Sequence, residues 1–288
     1  MAGNASMQDI KHRIRSVTSI EHITSAMKLV SAAKLRRAKS AYESTTAYFH
    51  YVTEAIHDIA GSGEQVPEKY LRGTKKIRNS LYIVVTSNRG LAGSFNSSLI
   101  KAAETRMQKH TGNKYIVCVG SKGRDYFSKR DKNIIGEYMK PPESMQFIEA
   151  EDLAAPILKM YREGEIDEVI IIYSEFKSSL EQAPRALRLL PFDIKPDPDD
   201  EFHTNIVDYE PSVEEVFNYL VPKYVVMTIY QAIIESATCE HAARRMAMDS
   251  ATDNANTMIG DLNLYYNRAR QAAITSEISE IVSGAEAL

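Results

Sequence analysis

The apolar run SLYIVVTS (80–87) leads into Asn88-Arg89-Gly90-Leu91-Ala92-Gly93, and a helical pattern follows from Asn96. A strand, a glycine loop and a helix start, in that order, are the parts of a phosphate cradle. Backbone N–H groups at a helix N-terminus point at an anion, and glycine lets the chain approach it closely. A dinucleotide fingerprint needs G-x-G-x-x-G and a P-loop needs G-x-x-x-x-G-K-[ST]. Gly90 and Gly93 are spaced G-x-x-G, the next loop GSKGRDYF (120–127) fits neither pattern, and no P-loop string occurs. Both loops read as turns at the carboxyl ends of strands, with Gly90 and Gly93 supplying the sharp reversal.

Other reactive pairs fail on the same test of spacing. SAMK (25–28) and SAAK (31–34) match S-x-x-K, but the S-D-N and K-T-G elements that complete such a nucleophile site are missing. Glu54 and His57 stand at i, i+3 as in a di-iron bundle, yet no second E-x-x-H and no H-E-x-x-H exist. Cys118 and Cys239 are the only cysteines, in a strand-like and a helical apolar run, and read as reduced structural thiols. The sequence offers no catalytic residue, no cofactor site and no metal site.

The elements that would carry these residues are marked by glycine and proline, the main helix breakers. From Asn4 to Ala60 there is neither, and from Lys223 to Ser283 there is only Gly260. Each end reads as one very long helix or a few nearly continuous ones, spanning roughly 80–90 Å at the α-helical rise. Such a helix needs a partner along its length. Ile10, Ile14, Val17, Ile20, Ile23, Met27 and Val30 recur at steps of three or four, and Ala255, Ile259, Leu262, Tyr266, Ala269 and Ala273 alternate four and three. That is the coiled-coil period. After Ala273 the seam slips onto Ile274, Ile278 and Ile281. The two helices are expected to return alongside each other as an antiparallel pair; an intermolecular coiled-coil dimer is the alternative.

Between them, runs 80–87, 114–121 and 167–174 are β-branched and apolar, with helices expected at 96–110, 124–130 and 149–163. This alternation predicts a parallel sheet covered on both faces, with 133–138 and 185–191 as edge strands. The expected class is α/β: a long antiparallel coiled coil of N- and C-terminal helices plus a Rossmann-like α/β domain. The expected division is a shaft helix 1–60, a linker 61–79, the α/β domain 80–195, an acidic linker or foot 196–212, and a second shaft helix 213–288.

Net charge is only −3, no stretch reaches eighteen apolar residues, and the N-terminus lacks a signal-peptide core. Charge is instead concentrated locally. Residues 11–39 hold eight Lys or Arg against Glu21 alone, residues 197–215 hold eight acids and no Lys or Arg, and 271–288 contain no Lys or Arg. These read either as solvated faces or as docking surfaces of opposite sign, where charge steers and fixes register. Aromatic interleaving is lacking within 11–39, so nucleic acid is not the expected partner. Segment 271–288 ends in EIVSGAEAL, an apolar tip with little charge. A frayed tail is the default reading, and a tip of a rigid rod seated inside a greasy collar is the alternative.

Three blocks resemble the gamma subunits of F-type ATP synthases: ITSEISEIVSGAEAL (274–288) with its upstream ATCEHAARRMAMDSATDNANTMIGDLNLYYNRARQAAIT (237–275), HITSAMKLVSAAKLRRAKSA (22–41) and SNRGLAGSFNSS (87–98). Thr275, Glu277, Glu280, Gly284, Ala285 and Ala287 fill the terminal signature. The resemblance implies a bacterial central shaft of a rotary motor, one copy per complex, itself non-catalytic. The expected partners are the alpha and beta subunits, the epsilon subunit and the c ring, on the cytoplasmic face of the cell membrane and touching it only through partners. It implies coupling of proton flow to ATP synthesis or hydrolysis, the ion being chosen by the c ring.

By the same resemblance Met27, Lys28, Arg36 and Arg37 face the lever of a beta subunit. Arg244, Arg270, Gln271, Thr275 and Glu277 contact the collar, and Tyr209 and Glu210 face the c ring from the foot. Three positions depart from the family pattern. Asn88 stands for an Asp, which puts a capping role of that side chain in doubt. Arg245 stands for a Met and adds charge to the shaft, and Cys239 stands for a Ser.

Overall fold

The computed structural model describes residues 7–61, 70, 77–192, 210 and 212–286. The two breaker-free ends are helices: α1 (Met7–Gly61, 55 residues) and α5 (Val213–Glu286, 74 residues). Between them run β1 (Asn79–Val85), α2 (Phe95–Gln108), β2 (Asn113–Val119), α3 (Ser121–Ser128), β3 (Ile134–Tyr138), α4 (Phe147–Arg162), β4 (Glu168–Phe176) and β5 (Gln182–Leu190). All five expected strands form, and the three short helices sit within a few residues of their expected spans.

The chain divides into two compact units, Ala32–Ala243 and Met1–Ser31 with Arg244–Leu288. In the first, the strands lie in the order β3-β2-β1-β4-β5. β1 pairs in parallel with β2 and β4, β2 in parallel with β3, and β4 antiparallel with β5. Side chains alternate across a pleated strand, so each strand feeds two layers. Leu81, Ile83, Val117, Val119, Val169 and Ile171 form one face with Ala154 and Ile157 of α4, Ile56 and Ile59 of α1, and Phe217, Val225 and Ile233 of α5. Tyr82, Val84, Ile116, Cys118, Ile170 and Ile172 form the other with Leu99 and Ala103 of α2 and Phe127 of α3. The terminal helices thus supply part of the helical layer on one face of the sheet.

The second unit pairs the start of α1 with the end of α5. Thr252 Oγ1 donates to Thr24 Oγ1 at 2.8 Å and Lys28 Nζ meets Asp249 Oδ1 at 2.5 Å, so one number rises as the other falls and the pair is antiparallel. On α5 the expected seam holds: Ala255 is buried, and Ile259, Leu262, Tyr266 and Ala269 are half-buried. It stops there, and Ala273 is exposed. Extending the register one residue for one residue brings Met7 level with Ala269.

On α1 the expected seam needs correcting. Ile10 and Val17 are buried, but Ile20, Ile23 and Val30 are 50%, 59% and 57% exposed. Thr24 and Ser31 are buried in their place. The steps Ile14–Val17–Ile20–Ile23 are all threes, and each step of three falls about 60° short of a full turn, so the line winds off the contact face. The true seam alternates four and three through Glu21, Thr24, Lys28 and Ser31.

Candidate functional site

In an α/β sheet of this kind a ligand sits beyond the carboxyl ends of the strands. Here the chain fills that position with its own groups. The N–H groups of Ser121, Lys122 and Gly123, which open α3, donate to Asn88 Oδ1 at 2.8 Å, the Ser87 carbonyl at 3.1 Å and Thr86 Oγ1 at 2.9 Å. These are the amides that a phosphate would need. Asn88 therefore does cap α3, and its Nδ2 also donates to the carbonyls of Met139 and Lys140. An aspartate could accept but not donate. The reversal in the loop is made by Leu91 (φ 63°) and Gly93 (φ 57°), not by Gly90, whose φ is not positive.

The other reactive pairs are accounted for. Lys28 and Lys34 of the S-x-x-K matches are held by Asp249 and Glu143. Glu54 is exposed, the His57 side chain lies outside the described residues, and among the described residues no three metal-ligating groups gather. Both thiols are free and buried, and burial pushes each up to about 12.

The residues expected to meet partners lie on the terminal helices. In the α1–α5 pair Met27 is half-buried, Lys28 is tied to Asp249, and Arg270, Gln271, Thr275 and Glu277 are exposed. Thr275 Oγ1 donates to the Gln271 carbonyl at 2.9 Å, within α5. Arg244 is buried, and Arg245 beside it is exposed. In the α/β unit Arg36 and Arg37 are exposed. Glu210 is exposed, and Tyr209 lies outside the described residues. Every described side chain from Arg270 onward is exposed, Ile274, Ile278, Ile281 and Val282 among them. A row of large apolar residues on the surface marks an interaction face, and Ile20, Ile23, Leu29 and Val30 of α1 are exposed as well, further along the pair.

One contact was not legible in the sequence. Glu143, on the short turn Pro142–Ser144 after β3, accepts a hydrogen bond from Lys34 of α1 at 2.7 Å and lies 3.7 Å from buried His241 of α5. Burial alone would raise the Glu143 carboxyl, but the Lys34 hydrogen bond, its own backbone amide and His241 outweigh it and hold it below the usual range. A depressed carboxyl stabilises the fold above its unfolded value and loses that effect as pH falls through its folded value. Glu143→Gln is expected to destabilise the chain by about 1 kcal/mol at pH 7. The difference should shrink once the wild-type carboxyl protonates in acid; thermal melts at pH 7 and pH 3.5 check both.

A family model described as ATP synthase matches residues 6–288. The chain is 44% identical over 290 residues to the ATP synthase gamma chain of Alkaliphilus metalliredigens, covering 98% of both. The chain belongs to the ATP synthase gamma chain family. It is also 40% identical over 299 residues, covering 98% of both, to a gamma chain of Acetobacterium woodii named as sodium ion specific. Among solved structures the fold is similar to the rotor of the Euglena gracilis mitochondrial ATP synthase, with TM-score 0.66 and 18% identity, covering 93% of this chain and 98% of that one. It is similar too to a central stalk chain from the Tetrahymena thermophila enzyme, with TM-score 0.61 and 24% identity, covering 80% and 99%. As a gamma chain, it presents a doubly covered sheet together with two long helices, one of which runs on past the end of the other's described part.

Proposed function

We propose that this chain is the central rotary shaft of a bacterial ATP synthase and is itself non-catalytic. Full-length similarity to gamma chains carries the reading. The shaft is assigned to residues 1–60 and 213–288, the α/β wedge to 80–195, and the foot, with Tyr209 and Glu210, to 196–212. No described helix is long and apolar enough to cross a membrane. Contact with the membrane is assigned to the c ring and epsilon subunit.

The mechanism is mechanical. Ion flow turns the c ring and the foot turns with it. The α1–α5 pair is asymmetric: apolar Ile20, Ile23 and Val30 are exposed on α1, and every described side chain of α5 from Arg270 onward is exposed. Each beta subunit therefore meets a different face at each angle. A partner shifts between open and closed states only as far as its contacts differ between them, and the rotating face supplies that difference. Met27, Lys28, Arg36 and Arg37 are assigned to the beta lever. Arg270, Gln271, Thr275 and Glu277 are assigned to the collar. Arg244, being buried, supports that face from within.

Co-purification with an alpha–beta hexamer, followed by ATPase assay, tests the assignment. The chain should bind at one copy per hexamer and change the hydrolysis rate; no binding would refute the shaft reading. Replacing Arg36 and Arg37 together by Ala should lower ATP-driven proton pumping per ATP hydrolysed in reconstituted vesicles. Stability should move by about 0–1 kcal/mol, because exposed charges contribute little. A larger fall in melting temperature would make them structural residues instead.

A further inference from the structure

A cavity of about 650 Å³ opens in the α/β unit between α1, α5 and the β4–β5 edge of the sheet. Its wall carries Tyr42 and Phe49 from α1, Tyr173 from β4, and Gln231 and Glu235 from α5. Three carboxylates line it, and two have cationic partners: Glu175 meets Arg185 at 2.5 Å and Glu43 meets Lys39 at 3.6 Å. Glu235 is 6% exposed, and Oε1 accepts one bond, from the Phe176 N–H at 2.9 Å. A buried carboxylate in a cavity walled by aromatic rings is complementary to a cation with an apolar body, through charge and through the ring faces.

We propose that this cavity binds a small organic ammonium ion, with the cationic head on Glu235 and the alkyl chain along Phe49 and Leu187. A metal ion is the poorer fit, since among the described residues no three His, Cys, Asp or Glu side chains, these carboxylates included, are placed to hold one. An anion would face Glu235, whose nearest cation, Arg185, is already paired with Glu175. The occupant would tie both terminal helices to the sheet edge within this unit. The proposal stands apart from the shaft reading, because it concerns the isolated chain.

Burial, then the nearby Glu175, push the Glu235 carboxyl up to about 7 against the pull of the Phe176 amide and Arg185. The other groups facing it are Tyr42 from α1, Tyr173 and Glu175 from β4, Arg185 from β5 and Cys239 on its own helix. Burial raises Tyr42, Tyr173 and Cys239, so none of them ionises near neutrality. Cation binding should therefore strengthen with pH as Glu235 gives up its proton.

Calorimetric titration of the full chain with pentylammonium, with 1-pentanol and potassium chloride as controls, tests this. At pH 8 pentylammonium should bind at least roughly tenfold more tightly than pentanol, and potassium should produce no heat. Lowering the pH to 6 should weaken binding by about tenfold, one pH unit below the carboxyl's midpoint. Glu235→Gln keeps an acceptor for the Phe176 amide and should remove both the preference and the pH dependence. Its melting temperature without ligand should be unchanged or higher at pH 8, which separates lost binding from lost folding. His50→Gln, at another part of the wall, should leave the pH dependence in place. Equal binding of pentanol, unchanged binding in Glu235→Gln, or loss of the pH dependence in His50→Gln would each overturn the assignment.

Discussion

Replacing Gly120 by Ala is expected to destabilise the α/β unit by about 4 kcal/mol, the sum of left-handed strain, overpacking and a weakened hydrogen bond. Gly120 has φ 91°, and a Cβ built on it would stand 2.2 Å from the Thr86 carbonyl oxygen and 3.0 Å from Thr86 Oγ1. Neither atom can yield cheaply. The Thr86 N–H donates to the Val119 carbonyl at 2.7 Å, and Thr86 Oγ1 accepts the Gly123 N–H that opens α3. Moving Thr86 therefore loosens the junction of β1, β2 and α3 together. For a unit of this size, the fall in melting temperature is roughly 8–16 °C. Gly90→Ala is the matched control: nothing lies within 4 Å of its added Cβ and its φ is not positive. It should change stability by less than about 0.5 kcal/mol. If the two variants melt together, the strand-end loops are looser than the bonds to Asn88, Ser87 and Thr86 indicate.

That pair of glycines shows where the sequence could be read and where it could not. Both stand at the carboxyl end of an apolar strand, and spacing alone sets both aside as phosphate binders. Which one the fold depends on is decided by the approach of β1 to the start of α3, a contact between residues 34 apart in the chain. The strands and helices were legible because their signals are local: β-branched runs, and breaker-free ends. The α5 seam was legible for the same reason, since Ala255 to Ala269 alternate four and three. The α1 seam was not. Its large apolar residues Ile20, Ile23 and Val30 lie on the open face, while Thr24 and Ser31 take the contact positions. A periodicity search follows hydrophobicity, whereas helices in close approach favour small side chains, and Thr24 and Thr252 satisfy each other by hydrogen bonding. The signal was there in the strict four–three spacing of Glu21, Thr24, Lys28 and Ser31, which ignores chemistry. Glu143 had no such signal, because its partners Lys34 and His241 come from opposite ends of the chain.

Removing residues 271–288 is expected to leave the folded chain intact and to abolish tight assembly with the alpha–beta head. Among the described residues of this segment every side chain is exposed, and the hydrogen bonds of Thr275 and Ser276 stay within α5. The segment therefore adds little to the packing of the α1–α5 pair, and the melting temperature should stay within about 2 °C of the full chain. Assembly is different. Ile274, Ile278, Ile281 and Val282 are each about half exposed or more, and no Lys or Arg in 271–288 interrupts them. If a collar covers them, each contributes on the order of 1 kcal/mol, half the value for burying a fully exposed side chain of that size. Together they make about 4 kcal/mol, or roughly a thousandfold in dissociation constant. Titrating labelled full-length and truncated chains into an alpha–beta hexamer measures it directly. A smaller loss, within about threefold, would mean that the tip turns without contact and that the grip on the head lies lower, around Ile20, Ile23 and Val30. Replacing those three by Gln would then produce the larger loss, because the seam through Thr24 and Ser31 would still hold the two helices together.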